Sequence, residues 1–245
     1  MNYTDKIVLI TGVSSDIGME LSSFFAVNHA KLILTYYNSK DGVLDFANKL
    51  KEKYKTSVDT IKLDLCDEES IKNVFSFIKS KYQKLDILIN NAALSMDSMI
   101  MDKDKHEFMK VLETNVVGTF LMMKYFDNIM DNGYIFNMSS TDGVDTGNIY
   151  SIDYNASKAA INSITKTFAL YSKNKIISIC PNWVDTKSTR MMDKNYLESE
   201  LKRIKQDKLI RPKIIVTVID NLIKDNTESG SIIRIEGDCD VRRID

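Results

Sequence analysis

Proline is nearly missing: only Pro181 and Pro212 occur in 245 residues, and no Pro/Gly-rich or low-complexity stretch interrupts the chain. With no linker at which to divide, residues 1–245 are expected to form one domain, within the size range of a large α/β unit. Cysteine is scarce too: Cys66, Cys180 and Cys239 lie far apart, are odd in number and lack metal-ligand spacing. They read as reduced thiols of a cytosolic protein, and no metal site is expected. Neither sign of charge prevails, the net charge being −1 with acids and bases scattered. That excludes a nucleic-acid footprint or a polybasic membrane patch. Long apolar runs are absent as well. Met1 to Lys6 leads directly into a short apolar run, with no signal-peptide pattern and no stretch able to span a bilayer. The expectation is a soluble, cytoplasmic protein, and its 44% hydrophobic content suffices for a sizeable core.

What is present alternates. Lys6 to Ile10 is a short apolar run closed by Thr11-Gly12, the pattern of a buried strand, and Ile17 to His29 has helical spacing. Further strands are predicted at Lys31–Tyr36, Val58–Leu63, Asp86–Asn90, Tyr134–Met138 and Ile176–Ile179. Helices are predicted between them: Val43–Tyr54, Asp67 or Glu68 to Tyr82, His106–Asp131, and Tyr154 to Lys173. Such alternation requires crossover connections and a parallel sheet covered by helices on both faces, a doubly wound Rossmann-type α/β fold. Ligands of such sheets bind beyond the carboxyl ends of the strands. The polar clusters fall there: Thr11–Gly18, Tyr36–Ser39, Asp64-Leu65, Asn90–Ala93, Ser139-Ser140 and Pro181–Thr186 each follow a predicted strand. This points to a single cleft.

Within that cleft Tyr154 and Lys158 stand four residues apart, so a helix places phenol and ammonium on one face. A neighbouring cation stabilises phenolate, so Lys158 is expected to lower the pKa of Tyr154 and fit it for general acid–base work. Alone, the pair could equally be a solvated helix face. In Thr11-Gly12-Val13-Ser14-Ser15-Asp16-Ile17-Gly18, Gly12 allows a tight turn and Gly18 close packing of helix on strand. Exposed amides and the Ser14 and Ser15 hydroxyls could hold a pyrophosphate at the helix N-terminus, or the loop could be an ordinary serine-capped βα turn. Asp16 beside a phosphate would be repulsive, and it is expected to cap the helix.

Together these segments resemble the short-chain dehydrogenase/reductase family. The glycine loop is similar to Thr-Gly-x-x-x-Gly-x-Gly with Asp16 for the middle glycine, and Asn90-Asn91-Ala92-Ala93 to Asn-Asn-Ala-Gly. Glu113-Thr114-Asn115, Asn137-Met138-Ser139-Ser140, Tyr154-x-x-x-Lys158 and Pro181-Asn182-Trp183-Val184-Asp185-Thr186 follow in the family's order, from residue 6 to about 190. Ser229–Gly237 resembles the last strand, for about seven in all. The resemblance implies hydride transfer between NAD(P)(H) and a carbonyl or secondary alcohol. Tyr154 would donate the proton, Lys158 would tune it and hold the nicotinamide ribose, and Asn115 would support a water chain to Lys158. Ser140 would hold the carbonyl oxygen, with Ser139 the alternative. The implied cofactor contacts are Gly12, Ser14, Ser15, Asp16, Ile17 and Gly18 on the loop and Tyr36, Asn38 and Ser39 after the second strand. Asp64 and Leu65 would meet the adenine, Asn91 its ribose, and Val184 and Thr186 the carboxamide.

The second strand ends Thr35-Tyr36-Tyr37-Asn38-Ser39-Lys40, with no acid before Asp41. A neutral, hydroxyl-rich end beside a lysine suits a 2′-phosphate better than a free ribose, so NADP is expected, with NAD the alternative. That strand end resembles the family's acyl reductases and makes a 3-oxoacyl thioester, free or on an acyl carrier, the leading substrate. A keto-sugar or another specialised ketone is the alternative, and a non-catalytic nucleotide-binding scaffold the reading from another class. Ala93, Asn182 and Asp238 also replace family glycines. Residues 186–212 carry little family pattern and are expected to form a substrate lid. His29 and His106 read as surface positions. Family analogy implies a homo-tetramer or homo-dimer packed through the helices at about 106–131 and 154–173.

Overall fold

The computed structural model describes residues 2–238 and 240–244. Met1 and Cys239, used above for the opening segment and the thiols, lie outside the described residues. The strands are β1 (Ile7–Ile10), β2 (Lys31–Tyr36), β3 (Val58–Lys62), β4 (Ile87–Asn90), β5 (Tyr134–Met138), β6 (Lys175–Pro181), β7 (Ile232–Ile235) and β8 (Val241–Ile244). They form one sheet in the order β3-β2-β1-β4-β5-β6-β7-β8, all parallel except β8, which runs antiparallel to β7. The fold is therefore the expected doubly wound α/β sheet, with one strand beyond the predicted seven. β8 escaped notice because Val-Arg-Arg-Ile has no buried face; it is an exposed edge held by Arg242 on Glu236 and Arg243 on Glu228.

The apolar strands are buried because helices cover both faces. Successive residues of a strand point to opposite faces, so Val8 and Ile10 enter one core while Ile7 and Leu9 enter the other. The first core packs under α1 (Asp16–Val27), α2 (Lys40–Tyr54) and α9 (Pro212–Lys224), with Leu21, Phe25, Val43 and Ile219 fully buried. The second lies under α3 (Glu68–Lys81), α5 (Thr119–Phe126) and the flank of α6 (Ile152–Ala169), around Ile71, Ile78, Met122 and Phe126. Burying each such side chain contributes about 1.5–3 kcal/mol.

Local chemistry fixes the helix ends. Ser15 caps α1 by accepting the Gly18 N–H (3.1 Å), and Asp67 caps α3 through the Glu69 N–H (3.0 Å). Helix α1 stops at Val27, two residues short of the expected end, because His29 takes a left-handed φ of 60°. The helix expected at 154–173 ends at Ala169, leaving Leu170 and Tyr171 in solvent. The single helix expected at 106–131 is four pieces: α4 (Lys105–Leu112), a π-helical turn Glu113–Gly118, α5, and a 3₁₀ turn Asp127–Ile129. A Cβ on Gly118 would stand 2.7 Å from Leu65 Cβ, so only glycine lets this turn approach the β3 loop.

The short helices α7 (Lys187–Arg190) and α8 (Lys194–Arg203) occupy the segment expected to be a lid. Helix α8 docks on the loop before α6: Asn148 donates to Tyr196 Oη (2.5 Å), and Arg203 to the carbonyls of Thr146 (2.7 Å) and Gly147 (2.9 Å). Among the described residues no helix is long and apolar enough to cross a membrane.

Candidate active site

Strand order reverses between β1 and β4, and a crevice opens at their carboxyl ends. Thr11 and Asn91 build its floor. Thr11 Oγ1 accepts the N–H groups of Asn91 (3.0 Å) and Ala92 (2.9 Å). Asn91 Nδ2 in return reaches the carbonyls of Thr11 (2.9 Å) and Gly12 (3.0 Å) and the hydroxyl of Ser15 (3.1 Å). Gly12 adopts φ +66°, and a Cβ there would meet Ala92 Cα at 2.7 Å. The glycine loop is thus strapped to β4 rather than held by its own turn alone.

A cavity of about 1150 Å³ fills this crevice. Gly12, Ser14, Ser15 and Ile17 line it from the loop, and Tyr36, Asn38 and Ser39 from the end of β2. Asp64, Leu65 and Asn91 close the opposite side, so ten of the expected cofactor contacts share one wall system. Gly18 lies behind the loop, a Cβ there being 2.7 Å from the Gly12 carbonyl. The sequence reading missed the far wall, made by Lys105, Met109 and Lys110 of α4. His106, read as a bland surface position, lines it too. Helical periodicity alone cannot show which turn faces a cleft.

Helix α6 carries the second group of expected residues. Lys158 is buried, with Nζ donating to the Met138 carbonyl (2.7 Å) and lying 5.1 Å from the Tyr154 ring centroid. Ser139 Oγ donates to the Lys158 carbonyl (2.9 Å), which commits that serine to holding β5 on α6. Ser140 caps the following 3₁₀ turn by accepting the Asp142 N–H (3.1 Å). Asn115 sits in the π turn: Nδ2 donates to Leu94 O (2.8 Å) and Ser157 Oγ (3.0 Å), and Oδ1 accepts the Leu94 N–H (2.7 Å). Ser157 Oγ donates onward to the Tyr154 carbonyl (2.7 Å). Since Leu94 also lines the cavity, this chain joins the cavity to the helix turn bearing Tyr154. Cleft residues in π turns recur at functional sites.

Two expectations need correction. Burial, then the carboxylate of Asp142, Cys180 and the carboxylate of Asp97, pushes the Tyr154 pKa up, whereas Lys158 was expected to lower it. The lysine itself is pushed down to about 8 by burial, so it is a weakened cation. Asp16 does not cap α1; it occupies the first helical position, accepts the Lys187 N–H and faces Arg190 at 3.9 Å. The Asp64 carboxylate accepts the Cys66 N–H (3.0 Å), and Asp67 caps the helix that follows. Asn91, expected on a ribose, lines the cavity while its amide nitrogen donates to the loop.

The remaining candidates lie beyond the cavity lining. Val184 is buried in the first core and bridged to Ile210, with its carbonyl accepting the Thr186 N–H (2.9 Å). Thr186 caps α7 through the Thr189 N–H (3.2 Å). Asn182, in place of a family glycine, accepts the Thr141 hydroxyl. Asp238, also at a glycine position, pairs with Arg211 (3.0 Å) and Lys208 (3.5 Å) at the end of the lid segment. Met99, Met101 and Met191 are exposed rather than in the core.

Comparisons with known proteins bear on the family and the fold. The family of short chain dehydrogenases matches residues 6–197. The chain is 30% identical over 245 residues to a 3-oxoacyl-(acyl-carrier-protein) reductase of Thermotoga maritima, covering 97% of this chain and 98% of that protein. Identity to the Escherichia coli protein of the same name is 26% over 245 residues, with 97% and 98% covered. Among solved structures, L-sorbose reductase of Gluconobacter frateurii with NADPH and L-sorbose superposes with TM-score 0.86 at 22% identity, covering 97% and 98% of the two chains. A short chain dehydrogenase of Burkholderia cenocepacia in complex with NADP superposes with TM-score 0.88 at 19% identity, covering 97% and 99%. The chain belongs to the short-chain dehydrogenases, a family of NAD(P)-dependent oxidoreductases.

Proposed function

We propose that this protein is an NADP(H)-dependent reductase of a carbonyl group, with Tyr154 as the proton donor. The observation that carries the reading is the joining of the crevice to α6: the Leu94–Asn115–Ser157 chain ends on Tyr154, and Lys158 lies beneath its ring. The residues present fit the cofactor. Gly12 and Gly18 let the loop pack closely on Ala92 and on itself where no Cβ fits, and loop amides with Ser14 and Ser15 suit a pyrophosphate. The β2 end offers Tyr36, Asn38 and Ser39 and no carboxylate, which favours a 2′-phosphate. When bound, the cofactor supplies the hydride. Burial holds Tyr154 protonated, the state needed to give a proton to the alkoxide forming on the substrate. Ser140 would steady that oxygen, and the Lys158 ammonium would stabilise the phenolate left behind. Asn115, buried and fully engaged, holds the Tyr154 turn; we infer positioning as well as any proton relay.

The substrate reading is a 3-oxoacyl thioester, supported by the names and full-length coverage of the relatives. A keto-sugar is the alternative substrate, and the carboxylates of Asp142 and Asp97, which act electrostatically on Tyr154, are polar groups of the kind it would need. We also infer a homo-oligomer packed on α5 and α6, where Phe120, Phe168 and Tyr171 line a groove of about 560 Å³, and residence in the cytoplasm.

A panel of 3-oxoacyl thioesters, ketones and keto-sugars, each with NADPH and NADH, tests the reading. On the best substrate, kcat/KM for reduction is expected to be flat through neutrality. It should fall about tenfold per pH unit above the Lys158 value of about 8, as the ammonium loses its proton. A profile flat to about pH 10 would rule out a charged Lys158 as a requirement.

A further inference from the structure

Outside the residues assigned above, one buried charge pair has no part in the proposed chemistry. Lys103 Nζ lies 3.1 Å from Asp153 Oδ2, with side chains 2% and 0% exposed. Lys103 belongs to the segment between β4 and α4; Asp153 stands in the first turn of α6, immediately before Tyr154. Its two oxygens divide their work. Oδ1 accepts the backbone N–H of Tyr154 (2.9 Å), serving the helix start where Ser151 makes no side-chain cap bond. Oδ2 has no hydrogen-bond partner among the described residues and faces the ammonium. Lys103 also donates to the Met96 carbonyl and stands 3.9 Å from Glu107 of α4.

The same two segments meet at further points. The Ser98 N–H reaches the Tyr150 carbonyl (3.1 Å), and Ser151 Oγ approaches Asp97 (3.4 Å). These are single, half-buried hydrogen bonds, whereas a buried ion pair is costly to separate because each charge would be stranded. A buried pair of this sort contributes little net stability compared with apolar residues of similar size, which makes a positioning role beside the reacting group the more informative reading.

We propose that the Lys103–Asp153 pair is a positioning clamp. It locks the segment from Leu94 to Asp104 onto the first turn of α6 and so fixes the Tyr154 phenol against the bound carbonyl. The proposal rests on the reading of Tyr154 as proton donor. Lys103 and Asp153 touch neither cofactor loop nor reacting atoms, and their effect passes through the Tyr154 backbone and the loop carrying Asp97.

The test uses the full-length protein as Lys103→Met, Lys103→Arg and the double variant Lys103→Met/Asp153→Asn, which removes both charges yet keeps an acceptor for the Tyr154 N–H. Melting temperature, NADPH Kd, kcat and KM are measured for each. Lys103→Met should lose about 30-fold or more in kcat, from misplacement of the donor, with NADPH Kd within about twofold. Lys103→Arg should retain kcat within about threefold. The double variant should regain melting temperature, since no charge is stranded, while its kcat stays low. If kcat recovers together with melting temperature, the pair is structural only and the clamp is wrong; unchanged kcat in Lys103→Met also overturns it. A wild-type protein that binds NADPH but reduces no carbonyl would instead sink the proposed function.

Discussion

Replacing Tyr154 by Phe is expected to lower carbonyl reduction by about 10²–10⁴-fold while leaving NADPH affinity within about twofold. The variant removes one oxygen and nothing the fold relies on. The Tyr154 N–H is held by Asp153 and its carbonyl by Ser157, and both bonds belong to the backbone. The ring still covers Lys158 Nζ, 5.1 Å from its centroid. Burial of the phenol also disfavours its charged form, so losing the hydroxyl imposes no new desolvation. Single-turnover rates with the preloaded cofactor, alongside equilibrium titration, separate chemistry from binding. Full activity in Tyr154→Phe would mean that another group delivers the proton.

Gly143→Ala is expected to be nearly as damaging for a different reason. A Cβ at this position would stand 2.4 Å from the Lys158 carbonyl carbon, 2.6 Å from Ala159 N and 2.7 Å from Lys158 Cβ. Two of these atoms are helix backbone, so no rotamer change relieves the clash and α6 must move away from the 3₁₀ turn. Overpacking of this kind costs about 1–3 kcal/mol. A displacement of about 1 Å in Lys158 and Tyr154 would reduce turnover by about 10²-fold. Gly42, in α2, supplies the control: nothing lies within 4 Å of its added Cβ. Gly42→Ala should therefore raise stability by about 0.5–1 kcal/mol, with turnover unchanged. Thermal unfolding and kcat for the pair distinguish clash from backbone preference.

The sequence made the order of elements readable because buried parallel strands are short, apolar and followed at once by polar residues. Ile7 to Ile10 and Tyr134 to Met138 are of this kind. Helix ends were less readable, since His29 in a left-handed conformation and the stop at Ala169 leave little trace in apolar spacing. The π turn around Asn115 was hidden for a similar reason: its cause is the approach of Gly118 to Leu65, a contact between distant segments. At the candidate site, the glycine loop and the β2 end were legible from residue type and place after a strand. The ionisation of Tyr154 was not. Spacing to Lys158 is local, but burial and the carboxylates of Asp142 and Asp97 come from other segments and reverse the expected direction. Asp16 was misread because its partner, the Lys187 N–H, is far away in the chain. The Lys103–Asp153 pair was likewise invisible, being formed between a loop and a helix start.

The most direct measurement of the central claim follows deuterium from NADPH carrying deuterium at both C4 positions into product, by mass spectrometry, with the best carbonyl of the panel. The account predicts deuterium on the new carbinol carbon in one-to-one ratio with cofactor oxidised, and its loss along with turnover in Tyr154→Phe. Alcohol formed without the label, or label washed into water while the carbonyl stays intact, would contradict it.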